Sequence, residues 1–428
     1  MRIIRFTVEN HRSLRRETEL SFVSTAQADE PTFRIPSRFT SHGLLPVMGI
    51  YGANASGKSN LIDALRLLGQ HVARSYNLQP GEPMPWAPWR MERGAQAPPT
   101  RMVLDFEHDD TRYQFGLTYR ESGVQQEWLY RWVTSRRQLL YERDIHAEVI
   151  WQFGSALTGQ KHQLAEQTRP NALFLSLAKQ NNHEMLGHVA AALQSGLRFE
   201  AEIELRGTPL FLPSAPILRP ENRALVRNML AAADVGCCDF RDEEIDVEFP
   251  TQLFEMLRPE AAAVISAQVG RQKKFRRIIL SHGSTDDNPV WELPLDMESR
   301  GTQILLQRIN DLLLHEHGVL VIDELDTSLH PDLCAQLVRL YASASANKAG
   351  RQLLFTTHDR GLLRELRRDE VLLFDKSRNG ESTLASLSDF RQVRGRDDLR
   401  ALHESGAIGG IPVLSDFSHA WNPSEANG

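Results

Sequence analysis

The chain carries the sequence GANASGKS at residues 52–59, and this stretch decides the fold. It fits the pattern GxxxxGKS of a phosphate-binding P-loop, which joins a strand to a helix. An apolar run at residues 44–50 precedes it, and residues 59–68 follow with apolar side chains at helical spacing. Gly52 and Gly57 let backbone N–H groups turn towards phosphate, and the following helix adds the positive end of its dipole. A chance loop is the alternative, but the strand-to-helix context favours a nucleotide site.

Two carboxylates in the second half of the chain complement this loop. The apolar run Val319–Ile322 predicts a buried parallel strand, and Asp323 and Glu324 follow it directly. We expect Lys58 to reach the β and γ phosphates of ATP, and Ser59 and Asp323 to hold Mg²⁺. Glu324 is then placed to polarise the attacking water as general base. An acidic helix N-terminus would explain one carboxylate, but not two after an apolar strand.

Further apolar runs extend the predicted sheet. Residues 353–355 lead to His358, which we expect near the γ phosphate because parallel sheets bind ligands at the carboxyl ends of their strands. With the run at residues 371–374, strands alternate with helices, which predicts a doubly wound parallel sheet. Residues 101–133 instead read as antiparallel hairpins, and residues 160–240 are mostly helical in pattern.

These patterns predict an α/β fold in three parts. Residues 1–150 would form an N-terminal ATPase lobe with the P-loop and an antiparallel β subdomain. Residues 151–275 would form a mostly helical insertion. Residues 276–428 would form a C-terminal ATPase lobe.

Composition excludes several other classes of protein. The 428 residues include 49 Lys and Arg against 55 Asp and Glu, a formal charge of −6, so no overall basic field favours nucleic acid. Three cysteines without a CxxC pair offer neither a disulfide framework nor a zinc finger. No signal peptide and no bilayer-spanning apolar run is present, which predicts a cytoplasmic protein with no membrane partner.

The motifs resemble those of the ABC-type ATPases, the family of the SMC, RecF and double-strand-break-repair ATPases and the overcoming-lysogenization-defect nucleases. Asn54, within GANASGKSN, resembles that family's form of the P-loop. NHRS at residues 10–13 resembles its NFRS motif, with His11 in place of Phe. DELDTSLHP at residues 323–331 resembles its Walker B and D-loop, and THD at residues 357–359 resembles its switch histidine.

The family's signature motif has a variant form here. ESRGTQ at residues 298–303 occupies its place and is similar to the compact AAA-type ATPases of prokaryotic defence and abortive-infection loci; Arg300 stands where many relatives have Gly or Asp. The resemblance implies a P-loop NTPase with an ABC-type head, in which Ser299 and Gly301 contact the γ phosphate held by another copy. We therefore expect a homo-oligomer, at least a dimer, with slow ATP hydrolysis by an isolated head.

The motifs and the resemblance together define the expected site. Gln125, Gln126 and Glu127 are weak candidates for the glutamine that couples such a site to the rest of the molecule. The residues expected to bind ATP are Arg12, Gly52, Asn54, Ala55, Ser56, Gly57, Lys58, Ser59, Asn60, Ser299, Gly301 and Asp326, with Mg²⁺ on Ser59 and Asp323, and with Glu324 and His358 as catalytic residues.

Two charged runs lie outside this site. The acidic run 239–248 reads as a solvated strand or loop rather than as a metal cluster. The basic run RQKKFRR at residues 271–277 could contact a phosphate backbone, although an exposed loop leading into a strand explains it equally well. The carboxylates of the acidic run are Asp239, Asp242, Glu243, Glu244, Asp246 and Glu248.

Three functions fit these motifs. The first is a sensor ATPase, by family analogy one of antiphage defence, that controls a separately encoded effector such as a nuclease. The alternative is a DNA-maintenance ATPase of the RecF or SMC type that acts directly on DNA. A transporter's nucleotide-binding subunit would share the catalytic parts, but the signature and the helical insertion make it remote.

Overall fold

Two large β-sheets, one antiparallel and one mostly parallel, carry most of the described chain. The computed structural model describes residues 1–25, 33–91, 98–200, 214–246, 274–283, 291–390 and 397–408, together with 204–205, 208–209, 211 and 393.

The strands and helices of these residues are numbered in chain order. The strands are β1 (Arg2–Glu9), β2 (Thr18–Ser21), β3 (Val47–Gly52), β4 (Thr100–His108), β5 (Thr111–Arg120), β6 (Gly123–Trp132), β7 (Arg137–Asp144), β8 (Trp151–Phe153), β9 (Leu197–Phe199), β10 (Glu204–Leu205), β11 (Thr208–Pro209), β12 (Cys237–Asp246), β13 (Lys274–His282), β14 (Trp291–Pro294), β15 (Val319–Ile322), β16 (Gln352–Thr356), β17 (Val371–Lys376) and β18 (Ser382–Ser386). The α-helices are α1 (Lys58–Arg74), α2 (Lys161–Gln167), α3 (Phe174–Gln180), α4 (Glu184–Gly196), α5 (Arg223–Ala232), α6 (Arg300–Leu314), α7 (Pro331–Ala342) and α8 (Leu399–Glu404).

The mostly parallel sheet has the strand order β18-β17-β3-β16-β15-β9. Its strands pair in parallel except β18, which runs antiparallel to β17. Because β3, β16 and β15 are parallel neighbours, their carboxyl ends meet at one edge of the sheet. The doubly wound sheet and the strand Val319–Ile322 are confirmed. The edge strand β9 comes from the segment 151–275, directly after α4.

The antiparallel sheet has the order β2-β1-β4-β5-β6-β7-β8. Its central strands are joined by the short turns that the sequence predicts for residues 101–133, and the hairpin prediction is confirmed. Its apolar face shares one core with α1 and α2 to α4, so α1 lies between the two sheets.

The two faces of the parallel sheet carry different helices. Met48 and Ile50 of β3 face the core that contains α1, whereas Val47 and Tyr51 of the same strand face a second core that contains α6 and α7. Alternate residues of a strand point to opposite sides of a sheet, so α1 and α6 lie on opposite faces. To their cores α1 contributes Leu61, Ile62, Ala64, Leu65, Leu67, Leu68 and Val72, and α6 contributes Ile304, Leu305, Leu306 and Ile309.

A third, three-stranded sheet explains the two charged runs. The acidic run forms β12 and pairs antiparallel with β13, which contains the end of the basic run. Arg276 lies 3.4 Å from Asp242, and Arg277 forms an ion pair with Glu243. The interpretation as an acidic strand is confirmed for residues 239–246, and the two described arginines are paired inside the sheet. Glu248 and residues 271–273 lie outside the described residues.

None of the described helices is both long enough and apolar enough to cross a lipid bilayer.

Candidate nucleotide-binding site

The P-loop connects β3 to α1 through tightly packed backbone. Gly57 is the N-cap of α1 with φ 118°, a left-handed conformation that favours glycine. A Cβ at Gly57 would collide with the hydroxyl of Ser382. At Gly52 a Cβ would lie 2.6 Å from the carbonyl oxygen of Phe374. Both motif glycines are therefore required by the close approach of β17 and β18, as well as by any phosphate.

Lys58 is the first residue of α1, and its side chain is mostly buried inside the loop. Its Nζ donates hydrogen bonds to the carbonyl oxygens of Gly52 at 2.8 Å and Ala53 at 3.2 Å. Burial lowers the pKa of Lys58, while the negative charges of Asp323, Glu324 and Asp326 act in the opposite direction. The structure thus places the Walker B carboxylates within electrostatic reach of the P-loop lysine. These carboxylates come from a part of the chain more than 250 residues distant, as their numbers show.

The two carboxylates after β15 are positioned by one threonine. Thr356, the last residue of β16, donates from Oγ1 to Asp323 Oδ1 at 2.6 Å and accepts from the N–H of Glu324 at 2.7 Å. Glu324 has φ 57°, a left-handed conformation that is uncommon outside glycine, and its carboxylate accepts from Thr327 Oγ1 at 3.1 Å. Thr356 therefore fixes how both acids leave the sheet, a role that the sequence analysis missed.

His358 follows β16 at the same edge of the sheet. Its N–H lies 3.3 Å from both carboxylate oxygens of Asp326, and its side chain is exposed. The structure brings His358, Asp326 and the Walker B pair together at the carboxyl ends of neighbouring strands. This is the edge at which open α/β sheets bind ligands.

The turn after β1 is anchored on α1. Asn10 and Arg12 both have positive φ, 55° and 50°. His11 Nε2 lies 2.9 Å and Arg12 Nε 2.7 Å from Asp63 Oδ2 on α1. Burial raises the pKa of Asp63, but the hydrogen bond from His11 and the charge of Arg12 outweigh it, and the net shift is downward. The histidine that replaces the family's Phe thus ties the turn to the P-loop helix, and the Arg12 guanidinium stays half exposed.

A network of hydroxyls joins this turn to the P-loop. Asn60 Nδ2 donates to Ser13 Oγ at 2.6 Å, and Ser382 Oγ donates to the carbonyl oxygen of Ser56 and lies 2.7 Å from Ser13 Oγ. Ser382 was not predicted from the sequence. No motif marks it, because it lies 326 residues from Ser56 and meets the loop only through the pairing of β17 with β3.

The signature segment forms the start of α6. Ser299 is the N-cap, and its Oγ accepts from the N–H of Thr302 at 3.1 Å. A Cβ at Gly301 would lie 3.0 Å from the carbonyl oxygen of Ser328, so the signature abuts the D-loop of its own chain. Because α6 and α1 lie on opposite faces of the parallel sheet, Ser299 and Gly301 start a helix on the far side from their own P-loop helix.

The candidates for a coupling glutamine have structural contacts elsewhere. Glu127 is fully buried, and its carboxylate accepts from the N–H groups of Phe174 and Leu175 and from the hydroxyl of Tyr141. Gln126 donates to Asp144 at 2.8 Å. Glu127 holds the first turn of α3 against the antiparallel sheet, which gives its carboxylate a structural role.

The residues at the P-loop edge fit a nucleotide with its metal. Within the described chain, Ser56 Oγ and Asp359 Oδ2 are buried without a hydrogen-bond partner. Buried polar groups in folded proteins are nearly always paired, so these atoms are available to a polar ligand or to water. The Ser59 hydroxyl and the Asp323 carboxylate offer the hard oxygen donors that Mg²⁺ prefers.

Comparison with known proteins identifies the family. A family described as "AAA domain, putative AbiEii toxin, Type IV TA system" matches residues 47–194 and 239–364. The chain belongs to this family. The match contains the P-loop, the Walker B pair and His358, so the AAA-type P-loop ATPase predicted from the motifs is confirmed at family level.

Solved structures and curated proteins add less. The crystal structure of the SmcHead bound to the C-winged helix domain of ScpA is similar with a TM-score of 0.41 and 13% identity, covering 91% of this chain and 99% of that one. That similarity is too low to support a functional conclusion. No curated protein matches the chain.

Proposed function

We propose that the chain binds and hydrolyses ATP at sites completed by a second copy of itself, and that the resulting change in assembly controls a separately encoded effector. The observation that carries the proposal is the placement of α1 and α6 on opposite faces of the parallel sheet. A phosphate at one P-loop then meets the signature helix of a partner rather than its own.

One copy supplies the binding half of the proposed site. Lys58 moves from the carbonyl oxygens of Gly52 and Ala53 to the phosphates, because phosphate oxygens are better acceptors for an ammonium than neutral carbonyls. Ser59 and Asp323 would hold Mg²⁺, which would neutralise phosphate charge. Asn54, Ala55, Ser56, Gly57 and Asn60 line the loop, and Arg12 places a half-exposed guanidinium beside it.

Glu324 and His358 supply the chemical half. The backbone of Glu324 is fixed by Thr356 and its carboxylate by Thr327, which leaves one carboxylate oxygen to accept a proton from water. His358 is held at its N–H by Asp326, so its exposed imidazole can orient the water and donate to developing charge.

The second copy contributes Ser299 and Gly301. The first N–H groups of a helix lack intrahelical partners and form an anion site with the helix dipole. In α6, a helix of 15 residues, the Ser299 hydroxyl accepts from the N–H of Thr302, and the start of the helix at Gly301 would face the phosphate. Gly301 packs close to the carbonyl of Ser328, so the phosphate-binding helix end is linked to the D-loop of the same copy.

Complementation between two inactive variants tests the shared site. Lys58→Ala removes the P-loop half. Ser299→Asp keeps an N-cap, since Asp caps as well as Ser, but sets a negative charge against phosphate. Each variant alone should be nearly inactive. An equimolar mixture should recover up to about a quarter of wild-type phosphate release, because half of the dimers are mixed and each mixed dimer has one intact site.

The control is a mixture of Lys58→Ala with Glu324→Gln. Both changes lie in the same half-site, and a mixed dimer would then contain one half-site with each lesion and no intact pair. No recovery is expected. Absence of recovery in the Lys58→Ala and Ser299→Asp mixture, with both variants folded and dimeric, would contradict a site shared between copies.

The effector part of the proposal rests on the family. Its description names a toxin and a type IV toxin-antitoxin system, which supports work with a separately encoded partner and a role in antiphage defence. Recovery of a neighbouring gene product with the ATP-bound chain, and its loss with Lys58→Ala, tests this part. The DNA-maintenance alternative is not favoured, since Arg276 and Arg277 are paired with acidic residues of β12.

A further inference from the structure

Three side chains of types that bind metals lie together, and none of them belongs to the nucleotide-site motifs described above. His108, Asp109 and His188 form the one such group among the described residues, and their ligand atoms all lie within 4.8 Å of one another. His188 Nε2 lies 3.0 Å and His108 Nε2 3.4 Å from Asp109 Oδ2. Both imidazoles thus direct the same ring nitrogen at one carboxylate oxygen.

Two separate elements build this group. His108 ends β4, and Asp109 begins the turn to β5 with φ 44°. His188 projects from α4, and its ring stacks on that of His108 with centroids 4.8 Å apart. The half-buried His108 and the hydrogen-bonded turn hold two ligands in place, while Asp109 and His188 remain accessible, with 69% and 54% of their side chains exposed.

The donors and their spacing suit zinc. Imidazole nitrogen and carboxylate oxygen both bind Zn²⁺ at about 2.0–2.2 Å, so neighbouring ligands of a tetrahedral site lie about 3.3–3.6 Å apart. The separations of the two imidazole nitrogens from Asp109 Oδ2 are 3.4 and 3.0 Å, and the two nitrogens lie within 4.8 Å of each other, so small movements of the exposed side chains would bring all three into that range. Imidazole ligands also select against Mg²⁺ and Ca²⁺, which prefer oxygen.

We propose that His108, Asp109 and His188 form a zinc site with an open fourth position for water. Such an ion would join the β4–β5 turn to α4, and α4 continues directly into β9 of the parallel sheet. The site borders a cleft lined also by Gly318 and Gly350, which precede β15 and β16. Zinc therefore binds at the amino ends of the parallel strands, away from the P-loop edge, and fastens the antiparallel sheet to the edge strand.

Zinc titration of the purified full-length chain tests the proposal. The chain is freed of metal and nucleotide and titrated with ZnCl₂ by calorimetry in excess Mg²⁺, which saturates sites made of oxygen ligands alone. We expect one Zn²⁺ per chain. His188→Ala and Asp109→Asn should each weaken binding by about tenfold or more. Both positions are exposed, and Asn tolerates the left-handed backbone of residue 109, so both variants should fold.

Two controls separate this site from other zinc ligands. His146→Ala removes another exposed histidine of a strand turn and should leave binding unchanged. Cys237→Ser with Cys238→Ser removes the adjacent thiols and should also leave it unchanged. Amide exchange should slow with Zn²⁺ in the β4–β5 turn and α4 of the wild type, but not of His188→Ala. No saturable binding, binding insensitive to both ligand variants, or binding that is lost with the thiols would overturn the proposal.

Discussion

The acids around Lys58 and the acid at Glu127 differ in their surroundings. Glu127 accepts three hydrogen bonds, from Phe174, Leu175 and Tyr141. Burial raises the pKa of Glu127, and those hydrogen bonds act against the rise. Its environment is complete without any ligand.

The P-loop edge is not complete in this way. Among the described residues, the Lys58 ammonium is bound by two neutral carbonyl oxygens, and Ser56 Oγ and Asp359 Oδ2 are buried without hydrogen bonds. Ala55 and Glu324 also hold left-handed backbone, at φ 60° and 57°. Unpaired polar groups and such strain cost about 1–3 kcal/mol each, and they persist where function requires them. Glu127, a buried acid with a full set of donors, therefore stabilises the fold. The strained and under-paired groups at the P-loop edge are instead placed where a ligand could pair with them.

The largest expected effect is that of Lys58→Ala. Removal of the ammonium should eliminate ATP binding and reduce phosphate release by about 10³-fold or more. Stability should change little, because the lysine's bonds are to two neutral carbonyl oxygens of its own loop rather than to a buried ion pair. Nucleotide binding, phosphate release and thermal unfolding measure the three quantities. If Lys58→Ala lowers the free energy of unfolding by several kcal/mol, Lys58 has a structural role like that of Glu127.

Glu324→Gln should leave ATP binding intact and remove the general base. Gln keeps the acceptor for Thr327 and the left-handed backbone but cannot take a proton, so hydrolysis should fall by about 10²-fold or more. An ATP-bound dimer should accumulate, which size-exclusion chromatography with light scattering can detect. Turnover at the wild-type rate would remove Glu324 from the proposed role.

Glu127→Ala should have the reverse profile. It leaves three buried donors without an acceptor, namely the N–H groups of Phe174 and Leu175 and the hydroxyl of Tyr141. The free energy of unfolding should therefore fall by about 3–5 kcal/mol, while ATP turnover per folded molecule stays within about twofold of the wild type. Urea unfolding with turnover at low denaturant measures both. Glu142→Ala, on the neighbouring strand, loses one half-buried bond to Tyr130 and serves as the control, with a cost of about 1 kcal/mol. Loss of turnover without loss of stability would restore Glu127 as a coupling residue.

The sequence predicted the elements whose signals are local. The P-loop, the run Val319–Ile322 and the hairpins of residues 101–133 are each read from adjacent residues, and each is present. The acidic pair and His358 followed from the rule that ligands bind at strand ends. This is why the parts of the candidate site could be named from the sequence.

The connections between those parts were not predictable. Thr356 reaches the backbone of Glu324 across 32 residues, Glu127 reaches Phe174 across 47, and Ser382 reaches Ser56 across 326. Such contacts depend on sheet order, which periodicity does not report. The three-residue strand β9 was missed for a related reason: it is too short to show alternation and is placed only by its pairing with β15.

His71 on α1 is the intermediate case, and it has the smallest expected effect. It packs edge-on against Tyr119, and its Nε2 lacks a partner among the described residues, as do Ser56 Oγ and Asp359 Oδ2 at the P-loop edge. Burial, with the charge of His11, lowers the pKa of His71 to about 4, against a bond to the carbonyl of Pro85. The folded protein therefore keeps His71 neutral.

The unfolded chain takes up that proton near pH 6.5, so stability from neutral His71 is present above pH 6.5 and is lost as the pH falls towards 4, by up to about 3 kcal/mol. His71→Gln keeps a donor for Pro85 and does not titrate, so its unfolding free energy should fall less between pH 7 and pH 5 than that of the wild type. His146→Gln, exposed on a turn, should follow the wild type. Equal acid sensitivity of all three proteins would contradict the lowered pKa of His71. A loss of ATP turnover at pH 7 in His71→Gln would instead show that His71 contributes to the ATP site.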